Sequence, residues 1–306
     1  RDCLLSRGLG DVYKRQVAFN VSGEGNELTT TDIQVNLYKV ADVDVSGNYT
    51  ATKDFTGLDV SSVRADNNDA ASEWVERAKK AKEKLSDSVK PIATVTLTRG
   101  IGAKAGLDTG LYLVDTPEVV TTNYTYTFTP YLVSLPTNNY YSSGNDDWIY
   151  DLTDTNAIGL KPEEHARYGD LVINKTLANH NATTGKKATF VFQIDITPLK
   201  SDKTETRIES LDFEAAGNSS VTITKIPAGA TVKVTEVYSG ASYKLISEKD
   251  QETTIVATDK DAKGDLASVS FKNDVDDNMN GGYGVKNNFK LNENGQYQYT
   301  EPAEKN

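Results

Sequence analysis

The chain has 306 residues, with 33 Lys and Arg against 44 Asp and Glu, a net charge of −11, one Cys, one Met and two His. That length predicts about two domains, at ~100–200 residues each. The acidic balance argues against a nucleic-acid binder, which needs a basic face for phosphates. Two His and one Cys leave too few N and S ligands for a zinc or iron–sulfur site, so no metal and no cofactor is expected. Sixteen Tyr accompany many Thr and Val, residues that suit a half-buried pleated surface, and no apolar run approaches the ~18–20 residues of a membrane span. Composition thus predicts an acidic, all-β protein short of catalytic side chains.

Residues 1–16, RDCLLSRGLGDVYKRQ, share neither composition nor periodicity with the rest of the chain. The run RGLGDVYKRQ resembles translated adapter sequence, so 1–16 is expected to be a non-native leader or assembly artefact outside the fold. A frayed remnant of a native leader is the alternative. Cys3 goes with this segment, and residues 17–306 contain no cysteine.

The first domain is expected over 17–160. The stretch DIQVNLYKVADV alternates, placing Ile33, Val35, Leu37, Lys39 and Ala41 on one side of a strand. Residues 72–85, SEWVERAKKAKEKL, put Trp74, Ala78, Ala81 and Leu85 at helical spacing with Ser72 as N-cap, which predicts one inserted helix. Strands resume at IATVTLT (92–98), GLYLVD (110–115) and YTYTFTPYLVSLP (124–136), where Tyr124, Tyr126 and Phe128 alternate with Thr. The turn-rich TNNYYSSGNDD precedes WIYDL. The charged stretch KPEEHARYGD (161–170), with its Pro and Gly, predicts a linker.

The second domain is expected over 171–275. LVINKTL, TFVFQIDI, SVTITKI, TVKVTEVY, TTIVAT and ASVSFKND succeed one another, separated by Gly, Asn and Asp, a spacing that predicts a β-sandwich. Residues 276–306 read as a linker and a C-terminal hairpin with NENG as its turn.

Three polar residues fall on apolar strand faces. Leu171, Ile173, Lys175 and Leu177 share one face, Val232, Val234, Glu236 and Tyr238 a second, and Val269, Phe271, Asn273 and Val275 a third. A one-residue slip would invert any one of them, yet an amine, an acid and an amide turned inward in one domain read as a set. Lysine is almost never fully buried without a partner. A Lys175–Glu236 ion pair with Asn273 as a hydrogen-bond partner accounts for the set without chemistry.

The order Lys175, Glu236, Asn273, lysine on the first strand and asparagine on the last, resembles the Cna B-type domains of Gram-positive surface proteins. The resemblance implies tandem Ig-like (Cna B-type) β-sandwiches, with an intramolecular isopeptide bond from Lys175 to Asn273 and Glu236 as the assisting acid. Burial disfavours the charged forms, so the amine can act as a neutral nucleophile while the protonated acid hydrogen-bonds and polarises the Asn273 carbonyl; ammonia leaves. The event happens once per molecule, so no enzyme is expected. In the first domain Lys39, Asp115 and Asn156 repeat the order amine, acid, amide. Asp in place of Glu departs from the B-type pattern, Asp154 shares a face with Asn156, and a rim lysine that snorkels outward is the alternative for Lys39.

A wider resemblance covers nearly all of 17–306. GLYLVD, YTYTFTPYLVSLP, WIYDL, LKPEEHARYGDLVINKTL and GGYGVKNNF together look like pilin subunits of Gram-positive bacteria, the second domain being similar to the streptococcal pilin isopeptide-linker type. This implies a structural subunit at the cell wall or in an extracellular pilus. Its partners would be other pilin subunits, joined by sortase, and host matrix or glycans rather than nucleic acid or a small-molecule substrate. The sortase acceptor lysine of such pilins follows a W-x-x-x-V-x-V-Y-P-K-like pattern. Trp148 and Leu152 fit it, while Lys161 arrives four residues late as LKP, and is either that acceptor or an exposed linker lysine.

Competing readings are thinner. His165 and His180 are expected in charged or Asn-rich surface loops with no HExxH or Ser-His-Asp setting, and GLG and GEG are not GxGxxG. DVDDN (274–278) lacks the spacing of an EF-hand. An adhesin or carbohydrate-binding sandwich using the Tyr-rich stretch 138–150 is the alternative function.

Overall fold

The structure, a computed structural model, describes residues 15–21, 27–44, 46–61, 70–135, 137–138, 148–149, 151–152, 157–184, 187–240, 242–259, 264–276, 288–291 and 297–300. Two compact units divide it: Arg1–Tyr168 with Asp259–Ala262, and Gly169–Thr258 with Lys263–Asn306. Strands dominate both, and among the described residues there is a single α-helix. No helix there is long and apolar enough to cross a membrane.

The first unit contains β1 (Arg15–Asn20), β2 (Ile33–Val43), β3 (Tyr49–Ala51), the helix α1 (Ala70–Glu83), β4 (Ala93–Leu97), β5 (Ile101–Leu107) and β6 (Gly110–Asp115). It continues with β7 (Val119–Val120), β8 (Tyr124–Phe128), β9 (Tyr131–Leu135), β10 (Thr137–Asn138), β11 (Trp148–Ile149), β12 (Asp151–Leu152), β13 (Ile158–Gly159) and β14 (Pro162–Ala166). Its main sheet runs β3-β2-β6-β9, with β4 also paired to β2. This sheet is covered on both faces, so all six residues of GLYLVD are buried. Tyr112 and Val114 join a core with Val17, Phe19, Val35 and Tyr126, while Leu111 and Leu113 pack with Ala78 and Ala81 of α1. The expected N-cap is corrected: α1 begins at Ala70, so Ser72 lies inside its first turn. β1 reaches back to Arg15, which pairs with Leu107, two residues into the segment expected to lie outside the fold.

The expected linker is also corrected. Pro162–Ala166 is a strand antiparallel to β8, pairing Pro162 with Phe128 and Ala166 with Tyr124, and the next strand starts at Tyr168. Its charges are those of an edge strand, exposed from Glu163 to Ala166, rather than of a free connection.

The second unit is a sandwich. Its strands are β15 (Tyr168–Leu177), β16 (Ala188–Thr197), β17 (Glu205–Phe213), β18 (Gly217–Pro227), β19 (Thr231–Tyr238), β20 (Tyr243–Leu245), β21 (Asp250–Thr254) and β22 (Ala267–Val275), followed by the pair β23 (Asn288–Leu291) and β24 (Tyr297–Thr300). One sheet has the order β18-β15-β22-β20 and the other β17-β16-β19-β21. Their inner faces share one core, in which Leu171, Ile173, Val269 and Phe271 meet Phe190, Phe192, Ile194, Val232 and Val234. Alternation on β15, β16 and β22 is nearly unbroken, as expected for strands with one dry face. Gly169 has to be glycine, because a Cβ there would collide with the Val256 carbonyl oxygen. The tail pairs as a hairpin, Asn288 with Thr300 and Leu291 with Tyr297; its NENG turn lies outside the described residues.

Candidate functional site: a buried lysine, glutamate and asparagine

Lys175, Glu236 and Asn273 are 1%, 2% and 0% exposed, three polar side chains inside an otherwise apolar core. Lys175 lies on β15 and Asn273 on β22, which run parallel and adjacent; Glu236 reaches across from β19 in the facing sheet. The Lys175 amine donates to Oε2 of Glu236 and to Oδ1 of Asn273. The Asn273 carboxamide donates from Nδ2 to Oε1 of Glu236 at 2.7 Å. One carboxyl group therefore touches both nitrogens, one oxygen to each.

This differs from the expectation that the acid would hydrogen-bond the Asn273 carbonyl. The lysine takes the carbonyl, and the glutamate faces the amide nitrogen.

The aromatic surroundings explain how the amine is held. The Phe190 ring centroid lies 4.2 Å from Nζ and that of Phe192 5.5 Å from it, so the rings supply electron-rich faces and exclude water. Burial pulls the Lys175 amine below its ordinary value of 10.5, against the opposing pull of the Glu236 charge. Both phenylalanines sit on the inward alternation of TFVFQIDI; the strand is legible in the sequence, its place against the lysine is not.

The other expected member of the β19 face, Tyr238, is 49% exposed. Beyond Glu236 the register shifts, Phe192 of β16 standing opposite Glu236 and Val191 opposite Tyr238; the extra residue, Val237, bulges β19, which leaves the core immediately after its carboxylate.

The first-unit set is not assembled in the same way. Lys39 is partly exposed and pairs with Asp42 at 2.6 Å. It stands opposite Tyr112, beside a register shift between Lys39 and Ala41. Asp115 belongs to the opposite face of β6, with Leu111 and Leu113, and pairs with Lys82 of α1 at 2.8 Å. Lys39 and Asp115 are thus separated by the sheet itself. Asn156 and Asp154 lie outside the described residues, as does most of the Tyr-rich stretch 138–150. Lys161 is exposed between Leu160 and β14. His165 is on β14 rather than in a loop, with its Nε2 3.1 Å from the Thr127 hydroxyl. Among the described residues no three His, Cys, Asp or Glu side chains are grouped to hold a metal ion.

The family model described as "Domain of unknown function (DUF5979)" matches residues 171–276, the stretch from β15 to β22 that carries all three buried polar residues. No curated protein matches the chain. Among solved structures, GBS52, the minor pilin of Streptococcus agalactiae, aligns at 11% identity over 85% of this chain and 96% of that one, with a TM-score of 0.25. The TIE protein of Bacillus anthracis aligns at 12% identity over 86% of this chain and 34% of that one, TM-score 0.30. The major pilin SpaA of Corynebacterium diphtheriae, whose structure is described as pointing to a modular pilus assembly with stabilizing isopeptide bonds, aligns at 11% identity over 85% and 100%, TM-score 0.26. At such scores these likenesses leave the function to be argued from the residues of the site.

Proposed function

We propose that the chain is a structural subunit of a sortase-assembled Gram-positive pilus, and that its second unit is stapled by an autocatalytic isopeptide bond between Lys175 and Asn273. The observation that carries the staple is the single carboxyl group of Glu236 set between the amine of Lys175 and the amide nitrogen of Asn273. An ion pair with Asn273 as a hydrogen-bond partner uses the same three contacts, and the two readings part at the mass of the chain, which only the condensation lowers.

The arrangement suits a condensation. Glu236 takes a proton from the Lys175 ammonium, leaving a neutral amine against the Asn273 carboxamide. Nζ attacks Cγ, and the tetrahedral centre collapses as the Cγ–Nδ2 bond breaks. Through its two oxygens Glu236 also receives the second proton shed by Nζ and passes both protons in turn to Nδ2, which departs as ammonium. Lysine ammonium and carboxamide become a secondary amide and ammonium, with the carboxyl group returned to its starting state. Burial helps twice, by favouring the neutral amine and by excluding water that would compete for the carbonyl.

The mechanical consequence comes from topology. β15 opens the second unit and β22 closes its sandwich, so a bond between them lets tension pass from one to the other without unzipping the strands between. With no cysteine after Cys3, no disulfide can do this within the unit. The test is intact mass with mapping of cross-linked peptides. A chain one ammonia lighter than its composition, with Lys175 and Asn273 peptides joined, supports the reading; a chain of full mass overturns it.

A further inference from the structure

β22, which carries Asn273, has a longer outer edge than the strand beside it. β20 pairs only with its last residues, Tyr243 with Val275 and Leu245 with Asn273. Upstream, the edge is completed group by group. The Ile246 N–H donates to the Lys272 carbonyl at 2.9 Å, and the Lys272 N–H donates to the Ser247 hydroxyl at 3.1 Å. The Gln251 carboxamide then closes on Ser270, Nε2 donating to its carbonyl at 2.6 Å and Oε1 accepting from its N–H at 3.0 Å. The side chain of Gln251 thus stands in for one residue of a missing neighbour strand.

Gln251 belongs to the other sheet. It lies on β21, paired in register with Val234 of β19, two positions before Glu236, while Ser270 lies three positions before Asn273. Its carboxamide therefore ties the layer that presents the acid to the strand that presents the asparagine. Facing sheets are held ~10 Å apart mainly by non-directional side-chain packing. A pair of directional hydrogen bonds adds what packing lacks: it fixes both the spacing of the layers and the slide of β22 along its axis.

We propose that Gln251 is a positioning residue for formation of the Lys175–Asn273 bond, acting through β22 to hold the Asn273 carboxamide against Lys175 and Glu236. The inference rests on the cross-linking reading of the buried site. Gln251 touches none of the reacting atoms; the bonds made and broken are those of the condensation, Nζ–Cγ formed and Cγ–Nδ2 cleaved with loss of ammonia. Misplacement of reacting groups by ~1 Å costs ~100-fold in rate, so removing the tie is expected to slow the condensation by about 10- to 100-fold.

The experiment tracks ammonia loss by intact mass during cell-free synthesis of the full chain, with folded fraction read in parallel by circular dichroism. Wild type is compared with Gln251→Ala, with Gln251→Glu, which keeps the acceptor for the Ser270 N–H and loses the donor, and with Ile223→Ala, a truncation of the same core on β18, two strands from β22. Expected are rapid completion for wild type and Ile223→Ala, a rate at least about 10-fold lower for Gln251→Ala at equal folded fraction, and an intermediate rate for Gln251→Glu. Gln251→Ala condensing at the wild-type rate overturns the proposal. So does Ile223→Ala slowing equally at equal folded fraction, since that would make general stability the cause. A wild-type chain that never loses ammonia removes the cross-link itself, and with it the role of Gln251.

Discussion

Lys175 and Asn273 lie on neighbouring parallel strands but are not opposite each other: Lys175 is paired with Phe271, and Asn273 with Leu177. Their side chains meet on the diagonal of one inner face, a separation that long side chains can span. This offset leaves Phe271 beside the lysine and lets Glu236 enter from the facing sheet to reach both nitrogens. The pair is separated by 98 residues in sequence, so a bond between them encloses almost the whole sandwich.

The first prediction concerns stability. In the chain-entropy model, closing a loop of about 100 residues constrains the unfolded state by ~4.7 kcal/mol. Asn273→Ala removes the bond while leaving Lys175 and Glu236 as a pair, so it isolates this term better than Glu236→Ala, which also strands a buried amine. Calorimetry should show the second unit of Asn273→Ala melting roughly 20 °C or more below wild type, with β16–β19 peptides opened faster by protease. Equal melting of the two chains would count against a covalent tie.

Much of this site was legible in the sequence, and the reason is periodicity. On β15 and β22 the two-residue alternation runs through apolar residues on both sides of Lys175 and Asn273, so their inward direction is over-determined. Glu236 was legible too, though the same pattern placed Tyr238 inside, where a bulge in β19 itself, at Val237, cancels it. The first unit misleads because GLYLVD is buried on both faces: alternation there cannot say which core Asp115 joins, and it joins the one under α1. Gln251 left no pattern at all. Its partners are backbone groups of Ser270, and a side chain that satisfies backbone can be traced only in three dimensions.

For the first unit the structure predicts silence in the same measurement. Lys39 is engaged by Asp42, and Asp115 by Lys82, on opposite faces of β6. Lys39→Arg should therefore leave the intact mass deficit at one ammonia. Asp115→Asn should weaken the seat of α1 by no more than about 1 kcal/mol, because Lys82 is a largely solvated partner. A wild-type deficit of two ammonias, reduced to one by Lys39→Arg, is the result that would restore a first-unit bond.

The proposed assembly route makes a separate demand on Lys161. Its exposure beside β14 leaves the amine accessible to an acyl-enzyme, and Arg keeps the charge without a nucleophile of suitable basicity. Incubated with a pilus-type sortase and a sorting-signal peptide, wild type should become labelled at Lys161, and Lys161→Arg should remain unlabelled. Labelling of the arginine variant at another lysine would move the acceptor and leave the internal cross-link untouched.

The last prediction is a pH dependence that only the uncross-linked chain can show. Burial holds the Lys175 amine below its ordinary 10.5 in the folded state. Below the folded value both states are protonated, and the slope of stability with pH from this group is zero. Between the folded value and 10.5 the unfolded chain binds the extra proton, so stability rises with pH across that window and levels off above it. In Asn273→Ala the amine titrates; in the cross-linked wild type the same nitrogen is an amide and does not. The stability gap between the two chains should therefore narrow as pH climbs towards 10.5, read by urea unfolding with pulse proteolysis of the second unit. Bond formation should show the same sign, since the nucleophile is the neutral amine: freshly synthesised wild type should condense faster as pH rises towards the folded value. A gap that stays constant or widens with pH would mean that Lys175 keeps its proton in the core, and the amine would then be unfit for the attack assigned to it.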